Sequence, residues 1–191
     1  MKSYGSLYIL LFLLSWDVLA QEVGEACFSN VSQEVKDIPW QQKQPMGKLH
    51  REDIVALQQK WFRLGRQKKH QSLYKLTTPN FRVIRIRPNH PREVDIREEY
   101  FLNLALWFAR GGVLLSLKRE NELIEFSKNG NWAVYEADIW QTVRTGDNLV
   151  RLNFHEKSYI TLYKGHARYA AFCSKFRKIV QVPSQVCGKS I

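Results

Sequence analysis

Glu136 and Asp138 stand two residues apart in the segment Trp132–Val143. On a strand, residues of equal parity share a face, so this pair would lie beside Trp132, Val134 and Trp140. A carboxyl group walled by aromatic side chains loses hydration, which disfavours its ionised form and raises its pKa. Tuned in this way it can take and return a proton near neutral pH. Tyr74 or Tyr100 would then donate to an oxyanion developing on a substrate. The competing use of the two acids is structural. The chain holds 29 Lys and Arg against 18 Asp and Glu. Arg144, Arg151 and Arg168 stand on neighbouring strand segments, so ion pairing is the favoured reading and no catalytic residue is assigned.

Other chemistry has little to stand on. The sequence lacks GxGxxG, a P-loop, GxSxG and CxxC. His155-Glu156-Lys157-Ser158-Tyr159 begins like a zinc-protease helix but has no second His and lies at a strand end. His50, His70, His90, His155 and His166 show no ligand spacing, so they read as solvated surface residues. Neither a metal nor a cofactor is expected.

The cationic residues are unevenly placed. Net charge is +11, and Lys60, Arg63, Arg66, Lys68 and Lys69 fall in one acid-free stretch. The strand-like run Phe81–Arg87 adds Arg82, Arg85 and Arg87. After Glu156 no acid follows, but seven bases do. A field of this sign favours acidic partners. Lys68, Lys69, Arg82, Arg85 and Arg87 form the candidate polyanion site. Their competing role is a solvated face whose aliphatic stems cover apolar surface.

The N-terminus narrows the partners. Lys2, the apolar run Leu7–Leu14 and the small residues at Val18 and Ala20 make residues 1–20 a secretory signal, cleaved before Gln21. The run is far short of the roughly 20 residues that span a bilayer. Outside the cell the acidic partners are glycosaminoglycan, anionic lipid or acidic protein, and nucleic acid is not expected. The secreted chain would carry Cys27, Cys173 and Cys187. This odd number implies one disulfide and a leftover thiol, or an intermolecular bridge. Cys27–Cys187 is the first choice, with Cys173 buried in a strand, and Cys173–Cys187 stays open. Asn30-Val31-Ser32 permits glycosylation of Asn30.

These residues must be positioned by a domain over 52–182, between a polar tail at 21–51 and a C-terminal tail at 183–191. Ile54, Leu57, Trp61 and Leu64 recur at helical spacing, with Glu52 and Asp53 in the first turn. A short helix over about 67–76 follows, stopped by Thr77-Thr78-Pro79. Phe81–Arg87 reads as a strand. Ile96, Tyr100, Leu104, Trp107 and Phe108 make a third helix, ended by Gly111-Gly112. Strands Val113–Lys118, Leu123–Phe126, Trp132–Val143, Leu149–Phe154, Tyr159–Tyr163 and Tyr169–Val182 complete the chain. Their turns fall at Asn129-Gly130, Thr145-Gly146-Asp147-Asn148 and Lys164-Gly165. The class is α+β: N-terminal helices packed on a strongly curved antiparallel sheet.

This order resembles the nuclear transport factor 2-like superfamily, the cone fold shared with ketosteroid isomerases and polyketide cyclases. The likeness is carried by Asp53-Ile54-Val55-Ala56-Leu57 with Trp61-Phe62, and by the run from Leu73-Tyr74 through Thr77-Thr78-Pro79 to Phe81-Arg82-Val83. Arg97-Glu98-Glu99-Tyr100-Phe101 and the long meander complete it. It spans about residues 52–182, and the chain lacks the Gly-Lys-Trp usual near the superfamily's end. The resemblance implies a cavity able to hold a small apolar ligand, and a homodimer as one assembly. The expected function is a secreted, non-enzymatic binding or interaction protein. The alternative is an isomerase or dehydratase using a carboxylate in the cone cavity.

Overall fold

The computed structural model describes residues 47–182. The signal at 1–20, Cys27, Asn30, Cys187 and the tail at 183–191 lie outside the described residues.

Helix α1 (Arg51–Arg66) starts where Asp53 Oδ2 accepts from the His50 backbone N–H at 2.9 Å. Its apolar stripe buries Ile54, Leu57 and Leu64. Leu49, just before the helix, is 4% exposed. Its N–H donates to Gly130 O at 2.9 Å. The end of the polar stretch is therefore core, not loosely packed tail. Helix α2 (His70–Tyr74) is one turn. Strand β1 (Thr77–Ile86) begins at the two threonines, and a short strand β2 (Glu93–Ile96) pairs with it antiparallel. Helix α3 (Arg97–Ala109) buries Phe101 and Phe108.

Four long strands follow: β3 (Val113–Phe126), β4 (Trp132–Thr145), β5 (Asn148–Tyr163) and β6 (His166–Val182). The sheet order is β2-β1-β6-β5-β4-β3. The sheet is mixed, which corrects the all-antiparallel expectation. β1 and β6 run parallel, with Ile84 opposite Cys173. A parallel neighbour needs a long crossover, and everything from β2 to β5 supplies it.

One face of the sheet shares a core with the helices. Phe81, Val83, Tyr135, Ile139, Phe154 and Phe172 cluster there with Ile54, Leu57, Leu73 and Phe101. Trp61 of α1 meets Tyr169 and Phe172 edge-on, both at 5.0 Å between ring centroids. The other face holds a separate cluster of Ile84, Ile86, Tyr159, Ala170, Ala171 and Cys173. Cys173 is 0% exposed on β6.

Candidate functional site

The alternation of β4 decides where its acids go. Ala133, Tyr135, Ala137 and Ile139 are buried on the helix-bearing face. Glu136 and Asp138 have the opposite parity and point to the other side. His155 of β5 sits between them, with Nε2 at 2.7 Å from Glu136 Oε1 and Nδ1 at 2.9 Å from Asp138 Oδ1. Lys157 Nζ reaches Glu136 Oε2 at 3.1 Å, and Arg177 reaches Asp138 Oδ1 at 2.8 Å. Asn121 donates to Asp138 Oδ2 at 2.8 Å. This bond first, then those from His155 and Arg177, holds the Asp138 carboxyl below its ordinary pKa. The pair belongs to an ion-pair network on the face away from the helices. Its partners are His155, Lys157 and Arg177 rather than Arg144, Arg151 and Arg168. His155 is accordingly no solvated surface histidine.

A cavity of about 200 Å3 lies on the other face. Trp61 and Phe62 of α1 wall it, with Leu117, Ile139, Phe154, Phe172 and Phe176 from the strands. Its polar lining is Gln58, Arg85, Tyr100, Arg119, Gln141, Glu156 and Ser174. Glu156 arrives there because β5 continues unbroken through the polar residues 155–158. Along β5, Leu152, Phe154, Glu156, Ser158 and Ile160 alternate onto the cavity side. Burial raises the Glu156 pKa above its ordinary value, although the Ser158 hydrogen bond, the charges of Arg119 and His155 and the Ser174 hydrogen bond pull the other way. Ser158 Oγ donates to Glu156 Oε1 at 2.9 Å. Arg119 Nη2 donates to Gln58 Oε1 at 3.1 Å, tying β3 to α1 at the cavity wall.

Of the two tyrosine candidates, Tyr100 lines this cavity, and burial pushes its phenol up first of all. Tyr74 does not line it. Its hydroxyl donates to Glu98 Oε1 at 3.2 Å, and Arg97 stacks over its ring at 3.5 Å.

The candidate polyanion set divides. Arg85 Nη2 lies 2.6 Å from Asp95 Oδ2, and Arg87 pairs with Glu93, so β2 neutralises both. Lys68 and Lys69 are exposed in the turn between α1 and α2, while Arg82 is exposed on β1. The five do not form one surface. Lys60, Arg63 and Arg66 are also exposed, on the last turns of α1 beside Lys68 and Lys69. Among the described residues, no three metal-ligating side chains converge.

Sequence reasoning missed Gln58, Arg119 and Glu156. Each occupies a position where the local periodicity calls for an apolar residue. Gln58 falls within the stripe Ile54, Leu57, Trp61, Leu64. Arg119 follows Leu117 on β3, and Glu156 follows Phe154 on β5.

No family model matches the chain, and no curated protein matches it. Solved structures do. A nuclear transport factor 2-like protein from Cytophaga hutchinsonii is 14% identical with a TM-score of 0.53, over 68% of this chain and 100% of that one. A ketosteroid isomerase-like protein from Erwinia carotovora atroseptica is 12% identical with a TM-score of 0.51, over 66% of this chain and 95% of that one. A hexachlorocyclohexane dehydrochlorinase is 9% identical with a TM-score of 0.53, over 70% and 88%. Likeness at this level of identity is likeness of fold.

Proposed function

From the nuclear transport factor 2-like fold, we propose that this chain is an exported binding protein that holds a small, mainly apolar molecule between α1 and the cone-like sheet. The carrying observation is the aromatic-walled cavity of about 200 Å3 with polar groups at one end. It is smaller than the roughly 300–1,000 Å3 of drug-sized pockets, which limits the ligand to one ring or a short chain. The apolar run Leu7–Leu14 with small residues at Val18 and Ala20 supports export of this activity from the cytosol.

Benzyl alcohol is a suitable probe. Titration followed by amide chemical shifts should move Leu117, Phe154 and Phe172. Leu117→Phe, which adds atoms to the cavity, should abolish those shifts, and Glu136→Gln on the opposite face should leave them alone. Shifts confined to the Glu136 face, or surviving in Leu117→Phe, would overturn the reading.

A second reading is favoured by one observation, the raised pKa of Glu156 inside the cavity. Its carboxylate would take a proton from carbon beside a carbonyl and return it elsewhere on the same molecule. Two of the fold neighbours carry isomerase-like and dehydrochlorinase names. Proton exchange of carbonyl compounds in heavy water, lost in Glu156→Gln, would favour this reading.

The surface supplies a further proposal. Lys60, Arg63, Arg66, Lys68 and Lys69 together offer a polyanion site on α1 and the turn after it.

A further inference from the structure

Two hydrogen-bond donors that line the cavity have no partner. Gln58 is only 6% exposed, yet its Nε2 has no hydrogen-bond partner. Arg119 uses Nη2 on Gln58 Oε1, while its Nε also has no partner. Among the described residues Arg119 joins no ion pair. Arg85 lines the same cavity, but Glu93 and Asp95 take up its charge. Glu156 is occupied with the hydroxyls of Ser158 and Ser174, and burial favours its neutral form. The cavity therefore presents two buried donors with nothing to bond, and one of them belongs to a guanidinium whose neighbouring carboxyl, Glu156, is pushed by burial toward its neutral form. Orphaned donors are rare in folded proteins, because burial removes the water that would satisfy them.

We propose that the ligand is a small organic carboxylate, one flat or short-chain apolar body whose carboxylate accepts from Gln58 Nε2 and the Arg119 guanidinium. This rests on the cavity reading above and names the ligand class for that site. A carboxylate matches the planar fork of a guanidinium. Its single charge suits a guanidinium that joins no close ion pair. A phosphate would bring a second charge with no partner. A neutral carbonyl would accept from the same donors but would not answer the Arg119 charge. Trp61, Phe154 and Phe172 then close around the apolar part.

The test compares two probes with the same ring, benzoate and benzyl alcohol, on the secreted chain at neutral pH, followed by the same amide shifts. Benzoate should bind about tenfold tighter or better, since charge-assisted hydrogen bonds are roughly twice as strong as neutral ones. Arg119→Gln should remove that preference and keep benzyl alcohol binding. Gln58→Glu places a carboxylate beside Arg119 and should remove it too. Thermal unfolding checks that each variant folds, and if neither does, the wild-type comparison still decides. Benzyl alcohol binding as tightly as benzoate, or a benzoate preference that survives in both folded variants, overturns the proposal while the cavity reading stands. If neither probe binds, the cavity reading fails and this inference fails with it.

Discussion

Glu156 occupies a place that suits the protonated acid better than the carboxylate. Burial beside Phe154 and Phe172 is the main cause, and the Ser158 hydroxyl, the charges of Arg119 and His155 and the Ser174 hydroxyl offset only part of it. The sign of the pH effect follows by linkage. The ordinary glutamate value is 4.5 and folding raises it, so the folded state binds this proton more tightly than the unfolded state. The associated stability is fully present below the unfolded value and is lost as pH rises through the folded one. Glu156→Gln stays neutral throughout. In urea unfolding, the variant should therefore gain on the wild type as pH rises above the ordinary glutamate value of 4.5. A variant that instead loses ground over that range would mean that Ser158 and Ser174 stabilise the carboxylate more than burial destabilises it. The same reasoning separates this residue from Asp138, whose hydrogen bond from Asn121 works in the opposite direction.

Strand β5 shows why the site was harder to read than the fold. Helices α1 and α3 were legible because stripes such as Ile54, Leu57, Trp61 and Leu64 repeat at helical spacing. The strands of the meander were legible from alternation and from turns such as Asn129-Gly130. The polar run His155-Glu156-Lys157-Ser158 reads as a break between two strands, which puts Glu156 at a strand end. Continuing the alternation from Leu152 and Phe154 to Ile160 would have placed it on the cavity side. Cross-sheet pairing had no such signal. The parallel partnership of β1 and β6 joins residues nearly a hundred positions apart, and the mixed sheet emerges only from it. At the end of α3 the local chemistry is legible and strict. A Cβ on Gly112 would lie 2.4 Å from the Trp107 ring. That ring is anchored by its Nε1 donating to Thr145 Oγ1 at 3.0 Å, so it cannot swing aside and keep the bond. Gly112→Ala should lower stability by about 1–3 kcal/mol, the usual range for overpacking. A denaturant midpoint within error of the wild type would show that the α3–β3 connection is looser than this contact implies.

Net charge of +11 describes the whole chain, but its distribution in the fold decides what it can attract. On the sheet, acids consume much of the basic excess: Lys157 and Arg177 meet Glu136 and Asp138, and Arg85 and Arg87 meet Glu93 and Asp95. On α1 and the following turn, Lys60, Arg63, Arg66, Lys68 and Lys69 are exposed, and no acid lies between residues 60 and 70. Lys60, Arg63 and Arg66 recur three apart, which keeps them near one another on the helix surface. A sulfated polysaccharide would meet this group as one field, so its binding should weaken steeply with salt. The Debye length falls from about 30 Å at 0.01 M to about 8 Å at 0.15 M ionic strength. On immobilised heparin the chain should elute above physiological ionic strength. Replacing these five residues with Gln should move elution well below that point without changing thermal unfolding. Replacing Arg85 and Arg87 should leave elution nearly unchanged, because their charge is already met by β2. If the five-residue variant elutes with the wild type, the helix cations serve solubility rather than binding. If the Arg85 and Arg87 variant is the one that shifts, the polyanion contacts the β1–β2 edge and must displace Glu93 to do so.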